Sequence, residues 1–95
     1  MSQINGNRAE RSVTIINQRG LHARAAAKFV KLVGEFASGV EVTKDGETVS
    51  GGSIMGLMML AASTGCSIHI SASGADANAA VEAISGLVES KFDED

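Results

Sequence analysis

The sequence contains no proline, tryptophan or tyrosine, and its three aromatic residues are all phenylalanines in apolar surroundings. Without aromatic side chains on which bases can stack, the chain has no platform for nucleic acid, and a nucleic-acid partner is not expected. The single cysteine, Cys66, cannot form an internal disulfide bond, which favours a reducing compartment.

Long apolar runs are also missing. No run approaches the roughly 18 residues of a membrane span, and the polar amino-terminal segment lacks the apolar core of a secretion signal. We therefore expect a cytoplasmic protein that is not inserted in a membrane. The 95 residues suffice for one small domain, which we place at residues 11–92, between a flexible tail at residues 1–10 and an acidic tail at residues 93–95.

Charge is spread unevenly along the chain, although its formal sum is only −3. Six of the eight basic residues lie at or before Lys31, in a segment whose one acid is Glu10, whereas the rest of the sequence is acidic. This asymmetry favours docking to an acidic protein surface or binding of a phosphate group, although a solvated charged face would explain it too.

The most informative stretch begins at Gly20-Leu21-His22-Ala23-Arg24, followed by apolar residues at the three-four spacing of one helix face. This spacing predicts a helix from about His22 to Phe36. No Ser, Thr, Asp or Asn lies between Gly20 and Arg24 to cap the helix, so backbone N–H groups at its start are open to an anion. His22 is nucleophilic at neutral pH, and Arg24 can bind phosphate through two N–H groups. The pattern predicts a histidine that accepts a phosphoryl group; the alternative is a histidine that only caps its own helix.

The remaining pattern predicts four strands and two more helices. The strands are expected at 11–17, 39–44, 47–50 and 67–73, and the helices at 54 to about 62, capped by Ser53, and from 77 onward, capped by Asp76. The order β-α-β-β-α-β-α, with alternating strands, predicts an α+β fold in which three helices cover one face of a single sheet, an open-faced two-layer sandwich.

The second helix is rich in methionine. Its period places Ile54, Leu57 and Leu60 or Ala61 on one inward face and leaves Met55, Met58 and Met59 at the margin. Methionine is more commonly flexible core filler, but so short a helix cannot bury them all, and an adaptable partner surface is the alternative.

Metal binding is not expected. Cys66 and His69 stand three residues apart, and on a strand such positions point to opposite faces. The sequence therefore predicts neither a metal site nor a cofactor.

Three segments make the chain resemble the HPr family, the histidine-containing phosphocarrier proteins of bacterial phosphotransferase systems, from Val13 to Val88. They are GLHARAAAKFV around His22, SGGSIMGLMML around Ser53, and ISASGADANAA at the fourth strand and last helix. The resemblance implies a fully antiparallel sheet in the order 1-4-2-3. It also implies a phosphoryl carrier rather than an enzyme, and we expect a monomer because the sequence gives no sign of an oligomer.

The resemblance further implies roles for single residues. His22 matches the histidine phosphorylated on Nδ1 by phospho-Enzyme I, which takes its phosphate from phosphoenolpyruvate. The histidine of the carrier then passes the group to a histidine of an EIIA-type protein. Arg24 matches the arginine that steadies this phosphate. Ser53 matches the serine that HPr kinase modifies in many bacteria, although helix capping alone also explains it. The partner surface implied in this way comprises Lys28, Lys31, Ile54, Met55 and Met58.

Ala25 departs from the family pattern, since most sugar-branch members have proline there. Because proline in a first helical turn only presets φ and omits one N–H group, we do not expect Ala25 to abolish transfer. It leaves open whether the carrier serves sugar uptake or a nitrogen-related relay. Two other functions also stay open: a regulatory relative that binds partners through Ser53 and the methionines, and a ligand-binding module without phosphoryl chemistry.

Overall fold

The computed structural model describes residues 7–94, which form one four-stranded antiparallel sheet and three α-helices. The strands are β1 (Arg8–Thr14), β2 (Gly39–Lys44), β3 (Glu47–Ser50) and β4 (Ser67–Ser73), in the sheet order β1-β4-β2-β3. The helices are α1 (Ala23–Val33), α2 (Ile54–Met59) and α3 (Ala77–Glu89), and a 3-10 helix follows at Lys91–Asp93. The predicted α+β class, element order and 1-4-2-3 sheet are confirmed.

One face of the sheet packs against the helices and the other is open. On β4, Ile68, Ile70 and Ala72 are buried while the residues between them face outward, because successive side chains of a strand point to opposite faces. The buried face meets Phe29 of α1 and Ile84 of α3 in one apolar cluster that includes residues of all three helices. Within residues 7–94, none of the helices has the length and apolar character needed to cross a bilayer.

The first strand differs from its predicted bounds. It begins at Arg8 rather than Arg11 and ends at Thr14 rather than Asn17. Residues 8–10 pair with β4 and do not belong to a tail, while residues 1–6 of the predicted tail lie outside the described residues. The start of β1 is held by backbone pairing with β4 rather than by burial of apolar side chains. The apolar pattern of the sequence therefore did not indicate it.

The first two helices end earlier than predicted. α1 stops at Val33, and the amides of Glu35 and Phe36 then bond to carbonyls three residues back. α2 likewise stops at Met59 rather than about Ala62. Tight final turns of this kind are common where a helix meets a loop. Ile54 is 40% exposed and Ala61 is exposed rather than inward, whereas the predicted burial of Leu57 and Leu60 is confirmed.

Asp76 occupies the N-cap position of α3 as predicted, but its side chain does not cap that helix. Its carboxylate instead accepts hydrogen bonds from the Ser38 hydroxyl at 2.6 Å and from the amides of Ala37 and Ser38. These hydrogen bonds hold the pKa of Asp76 below its usual value, and the Ser38 hydroxyl makes the largest contribution. Asp76 therefore fastens the start of α3 to the segment that follows α1.

Candidate functional site

His22 lies at the N-cap position of α1, in an extended conformation with φ −73° and ψ 177°. Its carbonyl accepts the first helical hydrogen bond, from the Ala26 amide at 2.8 Å. In the part of the chain that the structure describes, no side chain caps this helix end, and the imidazole itself does not do so. The alternative of a histidine that caps its own helix is therefore wrong, and the predicted open helix start is confirmed.

The loop before His22 is held tightly against the segment after α2. Gly20 adopts a φ of +64°, and a Cβ atom there would lie 2.4 Å from the carbonyl oxygen of Ala62. The Leu21 amide donates to that same carbonyl at 2.9 Å, and Asn17 Nδ2 donates to the Gly20 carbonyl at 2.8 Å. Only glycine fits so close an approach at this φ. The approach brings His22 next to α2.

The imidazole of His22 is paired with a carboxylate from the far end of the described chain. Its Nε2 lies 2.5 Å from Oε2 of Glu94, and the two side chains are 21% and 19% exposed. Asn17 Nδ2 donates to the other carboxylate oxygen of Glu94 at 3.2 Å. The hydrogen bond from His22, with a smaller contribution from Asn17, holds the pKa of Glu94 below its usual value although partial burial opposes this. Glu94 is therefore an ionised partner of the histidine.

Glu94 reaches the histidine because the turn before it is firmly placed. Lys91–Asp93 all have φ between 55° and 60°, the left-handed region that side chains rarely adopt. Phe92 is fully buried, and Lys28 Nζ donates to its carbonyl at 2.6 Å. The predicted acidic tail is thus wrong for residues 93 and 94, and Asp95 lies outside the described residues. Lys28 is bonded within the chain, whereas Lys31 is exposed.

Two guanidinium groups border the histidine. Gln18, Arg19 and Arg24 line a hollow together with His22 and Glu94, which we call the His22 hollow. Its volume is about 280 Å³, just below the roughly 300–1,000 Å³ of pockets that enclose whole small molecules. The predicted proximity of Arg24 to His22 is present. Arg19 was not predicted, and its position within the turn before the helix is the signal that could have indicated it.

The methionines of α2 are exposed beside the histidine. Met55 and Met59 are each 71% exposed, Met58 is 42% exposed and Ile54 is 40% exposed; these four residues form what we call the α2 patch. Met58 shares a second hollow with His22. The predicted marginal position of the methionines is confirmed, and the patch is continuous with the surroundings of the imidazole.

Ser53 caps α2, as predicted. Its Oγ accepts a hydrogen bond from the Gly56 amide at 2.9 Å, and the residue is half-buried with an extended backbone. The next residue, Ile54, belongs to the α2 patch, so any group added to Ser53 would lie at the border of that surface.

The second histidine lines neither of the two hollows beside His22. His69 projects from the open face of the sheet, where its Nδ1 is 3.0 Å from Ser12 Oγ and its Nε2 is 2.7 Å from Glu10 Oε1. Hydrogen bonds from His69 and Arg8 hold the pKa of Glu10 below its usual value. Within residues 7–94, no group of three or more His, Cys, Asp or Glu residues is placed to bind a metal ion.

Comparison with known proteins adds an independent line of evidence. Residues 9–90 match the family model PTS-HPr, described as the PTS HPr component phosphorylation site. The phosphocarrier protein HPr of Cupriavidus necator is 44% identical over 85 residues, which cover 90% of this chain and 96% of the relative. The phosphocarrier protein NPr of Shewanella violacea is 45% identical over 85 residues, covering 90% and 93%. Relatives named HPr and NPr thus match almost equally well.

Solved structures of HPr proteins are also similar to this chain. The crystal structure of HPr-C-His from Thermoanaerobacter tengcongensis has a TM-score of 0.88 at 44% identity, covering 92% of this chain and 98% of that chain. An HPr dimer from the same organism has a TM-score of 0.73 at 40% identity, covering 99% and 100%.

Proposed function

The chain belongs to the PTS-HPr family of phosphocarrier proteins, and we propose that His22 is the residue that carries its phosphoryl group. The observation that carries this proposal is the position of the imidazole, at an uncapped helix start and in one hollow with Arg19 and Arg24. Exposed helix starts favour an anion by only about 0.3–1 kcal/mol per charge. Such a site orients a phosphoryl group without trapping it, as a carrier requires.

The reaction we propose exchanges one nitrogen–phosphorus bond for another. A ring nitrogen of His22 attacks the phosphorus of a phosphohistidine on the donor; the new bond forms as the donor imidazole leaves with its electron pair. The same exchange in reverse loads the acceptor. Phosphoryl transfer depends on positioning and on stabilising spread negative charge, which Arg24 and the helix start supply here.

We propose phospho-Enzyme I, charged from phosphoenolpyruvate, as the donor and an EIIA-type protein as the acceptor. The support is family membership together with the α2 patch, which adjoins the imidazole through Met58. Ile54, Met55, Met58, Lys28 and the exposed Lys31 would form the docking surface, although Lys28 Nζ also bonds to the Phe92 carbonyl. We propose that the chain acts in the cytoplasm and as a monomer.

Labelled phosphoenolpyruvate tests the function. After incubation with Enzyme I, the chain should carry label that is acid-labile and stable to base, as expected of phosphohistidine, and an EIIA-type protein should remove it. Acid-stable label obtained only with a kinase and ATP would favour the regulatory alternative. No label under either condition would leave a ligand-binding module.

Arg24→Lys tests how the phosphoryl group is bound. Lysine keeps the charge but loses the two-pronged guanidinium contact, so we expect phosphoryl transfer to slow about 10-fold in both directions. Initial rates of loading and unloading measure this. Arg11→Lys, on β1, is the matched control and should behave as the parent does. If Arg24→Lys loads and unloads phosphate at the rates of the parent protein, Arg24 does not bind the phosphoryl group through a two-pronged guanidinium contact.

Ser53→Asp tests a regulatory role for Ser53. We propose that a kinase of the HPr kinase type modifies this serine, which would add about −1.5 to −2 charges beside Ile54 at the edge of the α2 patch. Aspartate still caps the helix, so the fold should persist while loading by Enzyme I slows about 10-fold or more. Ser53→Asn, a neutral cap, is the control. If the aspartate variant loads as fast as the asparagine variant, charge at Ser53 is not a switch.

A further inference from the structure

We propose that Glu94 is a positioning residue for His22: its carboxylate keeps the ring proton on Nε2 and so makes Nδ1 the nitrogen that accepts the phosphoryl group. This inference rests on the proposed function. It gives a role to a residue that the sequence analysis placed in the acidic tail at residues 93–95.

The geometry determines which nitrogen bears the proton. An ionised carboxylate can only accept hydrogen bonds, so the 2.5 Å contact between Oε2 of Glu94 and Nε2 of His22 requires Nε2 to be the donor. In an uncharged imidazole the other nitrogen, Nδ1, then keeps the lone pair. The lowered pKa of Glu94 keeps its carboxylate ionised near neutral pH.

The carboxylate is supported from several directions. Asn17, only 2% exposed, donates from Nδ2 to Oε1 of Glu94 at 3.2 Å. Two residues before Glu94, the Phe92 ring is fully buried and its carbonyl accepts from Lys28 Nζ. A side chain at a fraying chain end would lack such anchors. Glu94 is therefore held at the ring by a buried residue on one side and by an anchored turn on the other.

The arrangement suits a reversible exchange. When Nδ1 bonds to phosphorus the ring becomes more positive, and the Glu94 carboxylate next to Nε2 stabilises that charge. The proton stays on Nε2 throughout: loading forms the Nδ1–phosphorus bond, and unloading returns the electron pair to Nδ1. Arg19 and Arg24, which line the same hollow, counter the charge of the phosphoryl group itself.

Glu94→Gln tests the proposal, with Glu89→Gln on the exposed surface of α3 as the matched control. Glutamine can present either an oxygen or an N–H group to the ring, so it removes the bias between the nitrogens. Nitrogen-15 NMR of the uncharged ring should show the ratio of Nε2–H to Nδ1–H forms of His22 falling about 10-fold in Glu94→Gln, since bonds to charged groups are about twice as strong as neutral ones. Loading by phospho-Enzyme I should slow about 10-fold, while Glu89→Gln matches the parent in both measurements.

The two measurements separate the inference from the function on which it rests. If Glu94→Gln keeps the parent's ratio of ring forms, or loads at the parent's rate, Glu94 does not position the histidine, and labelled parent protein would still support a carrier. If the parent takes no label, the carrier function fails. The NMR measurement needs no phosphate and decides on its own whether Glu94 sets the protonated nitrogen.

Discussion

Replacing His22 with alanine is expected to reduce label from phosphoenolpyruvate to background. The sequence has two histidines, and the other, His69, lies on the open face of the sheet, paired with Glu10 and Ser12. No nucleophilic nitrogen would therefore remain beside Arg24 at the helix start. Acid-labile label after incubation with Enzyme I is the measurement, and His69→Ala is the matched control that should load as the parent does.

The His22→Ala protein should stay folded, so that loss of label reports chemistry. The imidazole does not cap the helix, and its one described side-chain hydrogen bond goes to Glu94. The carbonyl of residue 22 would still accept from Ala26. We expect the free energy of unfolding to change by about 1 kcal/mol or less, measured by circular dichroism in denaturant. Undiminished label in His22→Ala, or loss of label in His69→Ala, would contradict the assignment.

Gly20→Ala is expected to destabilise the protein by about 3 kcal/mol or more. The Cβ atom would meet two backbone atoms, the Ala62 oxygen at 2.4 Å and the Ser63 Cα at 2.8 Å, and neither can rotate away as a side chain would. Either the loop before His22 or the segment after α2 must move. Urea unfolding measures the change, and loading by Enzyme I should slow as well because the histidine is displaced.

Gly65→Ala separates the clash from the backbone strain. Gly65 has a φ of +89°, further from the favoured left-handed region than that of Gly20, but no atom lies within 4 Å of the Cβ it would gain. Strain alone should cost about 1–2 kcal/mol. Equal destabilisation by the two substitutions would show that the close approach at Gly20 does not contribute.

Much of the fold was readable because its signals are local. The turn between β2 and β3 and the alternation along β4 each depend on neighbouring residues, and β2, β3 and β4 formed where predicted. The ends of α1 and α2 were placed too late because the apolar spacing continues past the last helical hydrogen bond. Phe36, for instance, packs against the core from a turn rather than from the helix.

The part of the site that sequence reasoning missed is long-range. Glu94 lies 72 positions from His22, in a short acidic segment that carries no periodic pattern. What brings it to the ring is the burial of Phe92 and three residues with positive φ, none of them glycine. Left-handed backbone at such residues is specified by tertiary packing rather than by local preference, so no motif indicated it. Asp76 is similar, because its carboxylate bonds to a segment almost 40 residues away.

Met58 and the His22 ring line one hollow, so any protein that reaches the ring must also cover this side of α2. The proposed donor and acceptor would therefore compete for the same surface beside His22 and could not bind to it at the same time. Under the proposed function, the carrier would have to dissociate from one partner before it binds the other, and the rate of turnover would depend on how quickly each complex dissociates. The flexible, exposed methionine side chains of the α2 patch suit such short-lived complexes better than a rigid, closely complementary surface would.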